Sequence, residues 1–328
     1  MSFLTRFVED LNVTRYYGDF IKAAGGLDEV RNALRWSVWY ALKWWYEIYR
    51  EGLYKSSNVF VRALYLSLLE NGYIDREGRV VKRVKEPRPP VNSYAAEFVG
   101  LHESFDKLGA VRIAANQVDE NTIGVLYSTM LSQGWYDIMR VTFFKLVGAV
   151  GAKRLFVPIV KEGHDIASLL AVSQTPPELI VGYDYRPDSV ELSKEILGRG
   201  VSVGLCPSQS GICIFQATSS CDVVDALGPQ FARSFDSALV FHSLYWMLDP
   251  MKDLQCIRRL LKPDGRLLVG QQVIESTPGL VAIVASMGAK HVFRSSDVDN
   301  VLEAAGFKRD RVYLRTMPFY IAVWRASA

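Results

Sequence analysis

The stretch RLFVPIVKEGHDIASLL, residues 154–170, carries an apolar strand into a short loop and then a helix. Nucleotide-binding proteins set a glycine-rich turn at such a place. Here the loop holds one glycine, Gly163, among Lys161, Glu162, His164 and Asp165. The free N–H groups of the following helix could receive a carboxylate. A second apolar run, ELIVGYD, ends at Asp184, whose carboxylate can offer two acceptor oxygens to two adjacent donors or act as a cap for the helix beside it. After the apolar strand FDSALVF comes His242, the first candidate for a general base, with His291 the second. A lone histidine on an apolar strand is also a common satisfied core residue. Tyr245 and Trp246 follow His242 and could wall a pocket, and Tyr16 and Tyr17 could reach over it from the N-terminal part.

The elements that must position these residues begin at Gly151-Ala152-Lys153, where the chain changes character. From there β-branched apolar runs alternate with amphipathic helices, the pattern of a parallel α/β sheet. The spacing predicts strands in RLFVPIV, ELIVGYD, VSVGLCPSQSGICIFQA, FDSALVFHSL and RLLVGQQVI, then a closing pair after VLEAAGF. Helices are expected near 165–173, in RPDSVELSKEILGRG, in DPMKDLQCIRRLL and in SSDVDNVLEAAG.

Residues 1–150 read as mainly helical. LDEVRNALRWSVWYALKWWYEIYREG opens on acids, closes on glycine and contains no proline. Its aromatics, from Trp36 to Tyr49, wrap too much of the helix for one thin stripe. Burial on several sides follows, within the subunit or against a second copy. A further helix ends at Asn71-Gly72, and YIDREGRVVKRV reads as a hairpin turning at Glu77-Gly78. Helix plus hairpin resembles a winged helix, although Arg62 is the only base on the helix and a recognition helix needs several. Beyond the proline-rich break KEPRPPVNS, helices resume in 93–107 and 121–149.

FDSALVFHSLYWMLDPMKDLQCIRRLLKPDGRLLVG resembles the central signature of class I S-adenosylmethionine-dependent methyltransferases: a strand after Phe-Asp, a helix carrying Ile-Arg-Arg-Leu-Leu, then Lys-Pro-Asp-Gly and an apolar strand. VLEAAGF and its two strands are similar to that family's carboxy terminus. The resemblance covers 151–326, and in layout the helical half is similar to the substrate and dimerisation domain of small-molecule methyltransferases. It implies an α/β, Rossmann-like, seven-stranded methyltransferase sheet in 151–328, preceded by a helical, winged-helix-like domain in 1–150. It also implies S-adenosylmethionine as cofactor, contacted by Val157, Gly163 and His164, by Asp184 on the ribose hydroxyls with Tyr185 near adenine, and by Gln216, Ala217 and Phe241. Substrate contacts fall to Tyr17, Tyr245 and Trp246.

Two motifs depart from the family. Its Gly-x-Gly turn lets backbone approach the cofactor without Cβ atoms, whereas Pro158, Ile159, Val160 and Lys161 fill most of that turn here. After strand three the acid that holds the adenine amine is replaced by FQATSSCDVVD, leaving Gln216 or Asp222 for that task.

The bulk numbers bound the rest. With 328 residues, 49% hydrophobic and 22% charged, the chain reads as soluble, globular and long enough for two cores. Net charge of +3 gives no general attraction to nucleic acid. Cys206, Cys213, Cys221 and Cys256 lack zinc-ligand spacing and read as free, partly buried thiols in a reducing compartment. No stretch approaches the roughly 18 apolar residues of a membrane span, and Arg6, Glu9 and Asp10 interrupt any secretory signal; a cytoplasmic location is expected. Three functions follow: methyl transfer to a small apolar or aromatic molecule by a homodimer joined through the aromatic helices, a binding protein that kept the fold and lost the cofactor, or a winged-helix DNA-binding regulator.

Overall fold

The computed structural model describes residues 15–198, 200–206 and 209–327; residues 1–14, on which the reading against a secretory signal largely rests, lie outside them. The chain divides into two compact units. Unit 1 takes Met1–Met139, Gln272–Ser295 and Thr316–Phe319, and unit 2 takes the rest.

Unit 1 is helical: α1 (15–23), α2 (Leu27–Arg50), α3 (Val59–Glu70), α4 (Ser93–Leu108), α5 (Ala110–Ala114) and α6 (Glu120–Ser132). Local chemistry sets the starts. Asn58, Asn92 and Asp119 accept the N–H groups of Phe60, Tyr94 and Thr122 at 2.8, 3.0 and 2.8 Å, satisfying donors that have no partner inside the helix. In α2, Asp28 and Glu29 occupy the first turn and Arg50 the last, each complementing the helix dipole. Trp36, Tyr40, Trp44, Trp45 and Ile48 are buried within this unit, while Tyr46 is exposed. The hairpin expected around Glu77-Gly78 amounts to one antiparallel bridge, Ile74 to Val80, pinned by the Trp45 indole N–H on the Gly78 carbonyl at 2.8 Å.

Helix α7 (Gly134–Val147) leads from unit 1 into unit 2. In unit 2 the sheet contains β1 (Arg154–Pro158), β2 (Leu179–Asp184), β3 (Val201–Val203), β4 (Gly211–Gln216), β5 (Phe235–Phe241), β6 (Leu261–Gln271), β7 (Phe307–Leu314) and β8 (Tyr320–Ala326). Their order is β3-β4-β2-β1-β5-β6-β8-β7, parallel except for β8 against β6 and β7 against β8. The helices are α8 (His164–Val172), α9 (Pro187–Leu197), α10 (Ser220–Leu227), α11 (Pro250–Leu260), α12 (Pro278–Ser286), which belongs to unit 1, and α13 (Ser295–Ala304). Strands β1 and β2 are buried almost throughout, as parallel strands covered on both faces must be.

This is the expected α/β, Rossmann-like sheet, with one strand more than seven: VSVGLCPSQSGICIFQA holds both the short edge strand β3 and β4. Helices α10 and α12 were not expected. Asp222, offered for adenine, serves α10 as half of a capping box, accepting from the Thr218 and Ser219 N–H groups at 3.1 and 2.9 Å. The thiol reading is overturned: Cys206 is bonded to Cys213 and Cys221 to Cys256, leaving no free cysteine. The second bond joins α10 to α11 through cysteines 35 residues apart in sequence, and spacing alone carries no trace of that contact. Disulfides persist in oxidising compartments and inside hyperthermophiles, so the cysteines do not speak for a reducing one. Among the described residues no helix is long and apolar enough to cross a membrane.

One buried histidine in unit 1 makes stability depend on pH. His102 has no exposed surface; its Nδ1 lies 2.8 Å from the Phe98 carbonyl and its Nε2 2.8 Å from the Ser37 hydroxyl. A carbonyl only accepts, so Nδ1 carries the proton and Nε2 accepts from Ser37, a neutral imidazole. The Ser37 oxygen in turn accepts the Leu280 N–H of α12 at 3.1 Å. Only glycine fits at 279, because a Cβ there would lie 2.5 Å from the Ser37 carbonyl oxygen. Burial lowers the His102 pKa from 6.5 to about 4. The unfolded chain therefore binds a proton in a range where the fold does not. Stability is full above about pH 6.5 and falls by about 3 kcal/mol as the pH drops to 4. Urea unfolding at pH 7 and pH 4.5 measures this slope, and His102→Asn should flatten it.

Candidate functional site

The candidate site of unit 2 gathers at the C-terminal ends of β1, β2 and β5. Between β1 and α8 the backbone turns through left-handed conformations at Ile159 (φ 56°), Lys161 (φ 50°), Glu162 (φ 62°) and Gly163 (φ 82°). A side chain there costs roughly 1–2 kcal/mol per residue, so surrounding contacts must hold the loop. The Val160 N–H donates to the Tyr183 carbonyl at 2.9 Å, and the Lys161 N–H donates to Asp184 Oδ2 at 3.1 Å. The loop has the shape of a glycine turn without its bare surface.

Lys161 is fully buried. Its ammonium donates to the Asp165 carboxylate one helical turn on and to the Phe241 carbonyl at the end of β5. The other Asp165 oxygen accepts from Arg140 Nε at 2.8 Å, and Arg140 also reaches Ser168 Oγ at 3.1 Å. A buried cation needs such partners, since its desolvation costs several kcal/mol. Burial lowers the Lys161 pKa, against the pull of Asp165.

Asp184 has no exposed surface. Its Oδ1 accepts the Arg186 N–H at 3.0 Å, and Oδ2 takes that of Lys161. Burial raises its pKa, opposed by Arg186 and by these N–H groups. S-adenosylmethionine does not fit this arrangement. The acid that should meet the ribose hydroxyls is sealed inside the chain, and three of the four left-handed positions of the turn, 159, 161 and 162, carry side chains.

Of the other cofactor candidates, Val157 is buried in β1, His164 opens α8, and Phe241 is buried at the end of β5. Gln216 is exposed at the end of β4, the adjoining Ala217 and Tyr185 are half-buried, and the Ala217 N–H donates to the Asp184 carbonyl at 3.1 Å. His242, Tyr245 and Trp246 do come together. The His242 Nδ1 lies 3.0 Å from the Tyr245 hydroxyl, and the Tyr245 and Trp246 rings meet edge to face at 5.1 Å. Burial, reinforced by the Lys161 and Arg140 charges, holds the His242 pKa well below the ordinary histidine range, so the ring is neutral at neutral pH. His291 and the half-buried Tyr17 belong to unit 1.

The sequence did not single out Arg140 or the role of Lys161. The available signal was the Lys161-to-Asp165 spacing, an i,i+4 ion pair. A second feature escaped it: a cavity in unit 1 with about 610 Å³ of atom-free space, part of it open to solvent. Phe20, Val30, Phe98, Trp135, Met139 and Leu280 are among its walls, and every lining side chain except Tyr94 and Thr277 is apolar.

Residues 166–269 match the family model described as a methyltransferase domain. No curated protein matches the chain. Among solved structures it resembles the DszA carbon methyltransferase, at 15% identity over 97% of this chain and 93% of that one with a TM-score of 0.63. The CurJ carbon methyltransferase follows at 13% identity, 98% and 99% coverage and a TM-score of 0.62. An O-methyltransferase family 2 protein from Planctomyces limnophilus, solved with apigenin, gives 14% identity, 97% and 96% coverage and a TM-score of 0.50. At these identities the likeness speaks for fold alone. The sheet thus has the Rossmann-like methyltransferase fold, and residues 166–269 within it resemble a methyltransferase domain.

Proposed function

We propose that this protein binds a small, uncharged, apolar or aromatic molecule in the cavity of its helical unit. The apolar lining of that cavity carries the reading. A charged ligand would lose its water there without gaining a partner. The test is a titration with an uncharged fluorescent probe such as 1-aminoanthracene. Binding with a Kd of order micromolar is expected, weakened at least tenfold by Ala95→Phe, which fills the cavity from α4. Anthracene-2-carboxylate should bind more weakly still. Equal binding of both probes, or no effect of Ala95→Phe in folded protein, sinks the reading.

The second reading, which requires the 159–163 turn to open away from Asp184, is methyl transfer from S-adenosylmethionine to such a molecule. It is favoured by the match over 166–269 and by the likeness to carbon methyltransferases along nearly the whole chain. On this reading His242 is the base, with Tyr245 and Trp246 beside it. Transfer of label from S-adenosylmethionine to an apolar acceptor is its measurement.

A further inference from the structure

We infer that the cofactor cradle of unit 2 carries its own occupant, the Lys161 side chain, and that the protein neither needs nor takes up S-adenosylmethionine. The inference stands on unit 2 alone and does not depend on the cavity of unit 1. Three observations carry it.

The first is the turn itself. Ile159, Lys161, Glu162 and Gly163 share the left-handed conformation that suits glycine, and three of the four carry side chains. The fold has kept the shape of the turn and given up the bare backbone that would justify it. Strain of this kind persists only where neighbouring contacts over-determine the backbone. Here the contact is internal, from the Lys161 N–H to Asp184.

The second is charge. The cofactor is a sulfonium cation. The cradle already holds the Lys161 ammonium and the Arg140 guanidinium against the Asp165 carboxylate between them, and a third cation beside these would meet like charge in a poorly screened interior. The Lys161 ammonium also takes the Phe241 carbonyl, the acceptor at the end of β5. Donors and acceptors of the cradle thus pair with each other.

The third is Asp184. Both of its oxygens accept backbone N–H groups of this chain, from Lys161 and Arg186, and no part of the residue is exposed. For a ribose to reach it, the 159–163 turn would have to move away and Lys161 would lose its N–H partner.

The test uses the wild-type chain and reads Lys161 directly. Among the described residues Lys161 is the one buried lysine. A buried, hydrogen-bonded ammonium exchanges its protons slowly, whereas exposed ones exchange too fast to observe at neutral pH. A lysine-selective ¹H–¹⁵N spectrum should show one ammonium signal, unchanged by S-adenosylhomocysteine at about 1 mM. Calorimetric titration of the same folded sample with S-adenosylmethionine or S-adenosylhomocysteine should give no heat of binding, a Kd weaker than about 1 mM, or less than about 4 kcal/mol of binding free energy. Micromolar binding overturns the inference, as does displacement or loss of the signal on adding either compound. The absence of any slowly exchanging ammonium overturns it equally.

Discussion

Asp165→Ala is expected to destabilise unit 2 by about 3–5 kcal/mol, the cost of breaking a buried ion pair by removing one partner. The side chain is 1% exposed, and it stands between Lys161, also buried, and Arg140, whose Nε lies 2.8 Å from Oδ1. Without it, Lys161 and Arg140 both lose the carboxylate that stands between them. Asp165→Asn keeps one acceptor oxygen and loses the charge, so it should fall between wild type and Asp165→Ala. Replacing all three groups by apolar residues of similar volume (Arg140→Met, Lys161→Met and Asp165→Leu together) should be nearly neutral, because no charge is then left buried. Urea unfolding of the three variants, followed by far-ultraviolet circular dichroism, separates the outcomes. If Asp165→Ala costs less than about 1 kcal/mol, the network is not the buried triad described above.

Trp44→Ala should cost unit 1 about 3–5 kcal/mol, as large-to-small changes of buried aromatics do. Trp44 is completely buried, lies parallel to His102 at 6.0 Å and meets Phe105 at 4.7 Å. Its indole N–H donates to Asp106 Oδ1 at 3.0 Å. Truncation removes the ring from between α2 and α4 and leaves a cavity that the two helices can close only in part. Two residues on, Tyr46 is 62% exposed, and Tyr46→Ala should change stability by no more than about 0.5 kcal/mol. Urea midpoints at pH 7 compare the pair, and similar losses for both would contradict the burial pattern of α2.

The class of fold was legible because its signals are local and repeated. Apolar runs ending in RLFVP and LIVGYD mark strands covered on both faces, and IRRLLKPDGRLL fixes a helix, a turn and a strand in sequence. The capping residues and the length of α2 follow from the same short-range rules. Helix α12 escaped because PGLVAIVAS is apolar on every side, so it has no amphipathic period to detect. Strand β3 escaped because three residues give too little alternation to register.

What the sequence by itself determined is the list of parts: a helical half, a parallel sheet, an acid closing β2, and a first turn with the wrong residues for glycine. Tertiary structure alone decided what those residues do. Lys161 reads as one of the residues that fill the glycine turn until β5 brings the Phe241 carbonyl to it and α7 brings Arg140 to its partner Asp165. Asp184 reads as a ligand acceptor until the turn folds over it. Cys221 and Cys256 read as thiols until α10 and α11 lie side by side. In each case the deciding partner is remote in sequence or set by a loop conformation, and hydrogen bonds and ion pairs depend on distances of a few ångströms that residue order does not encode.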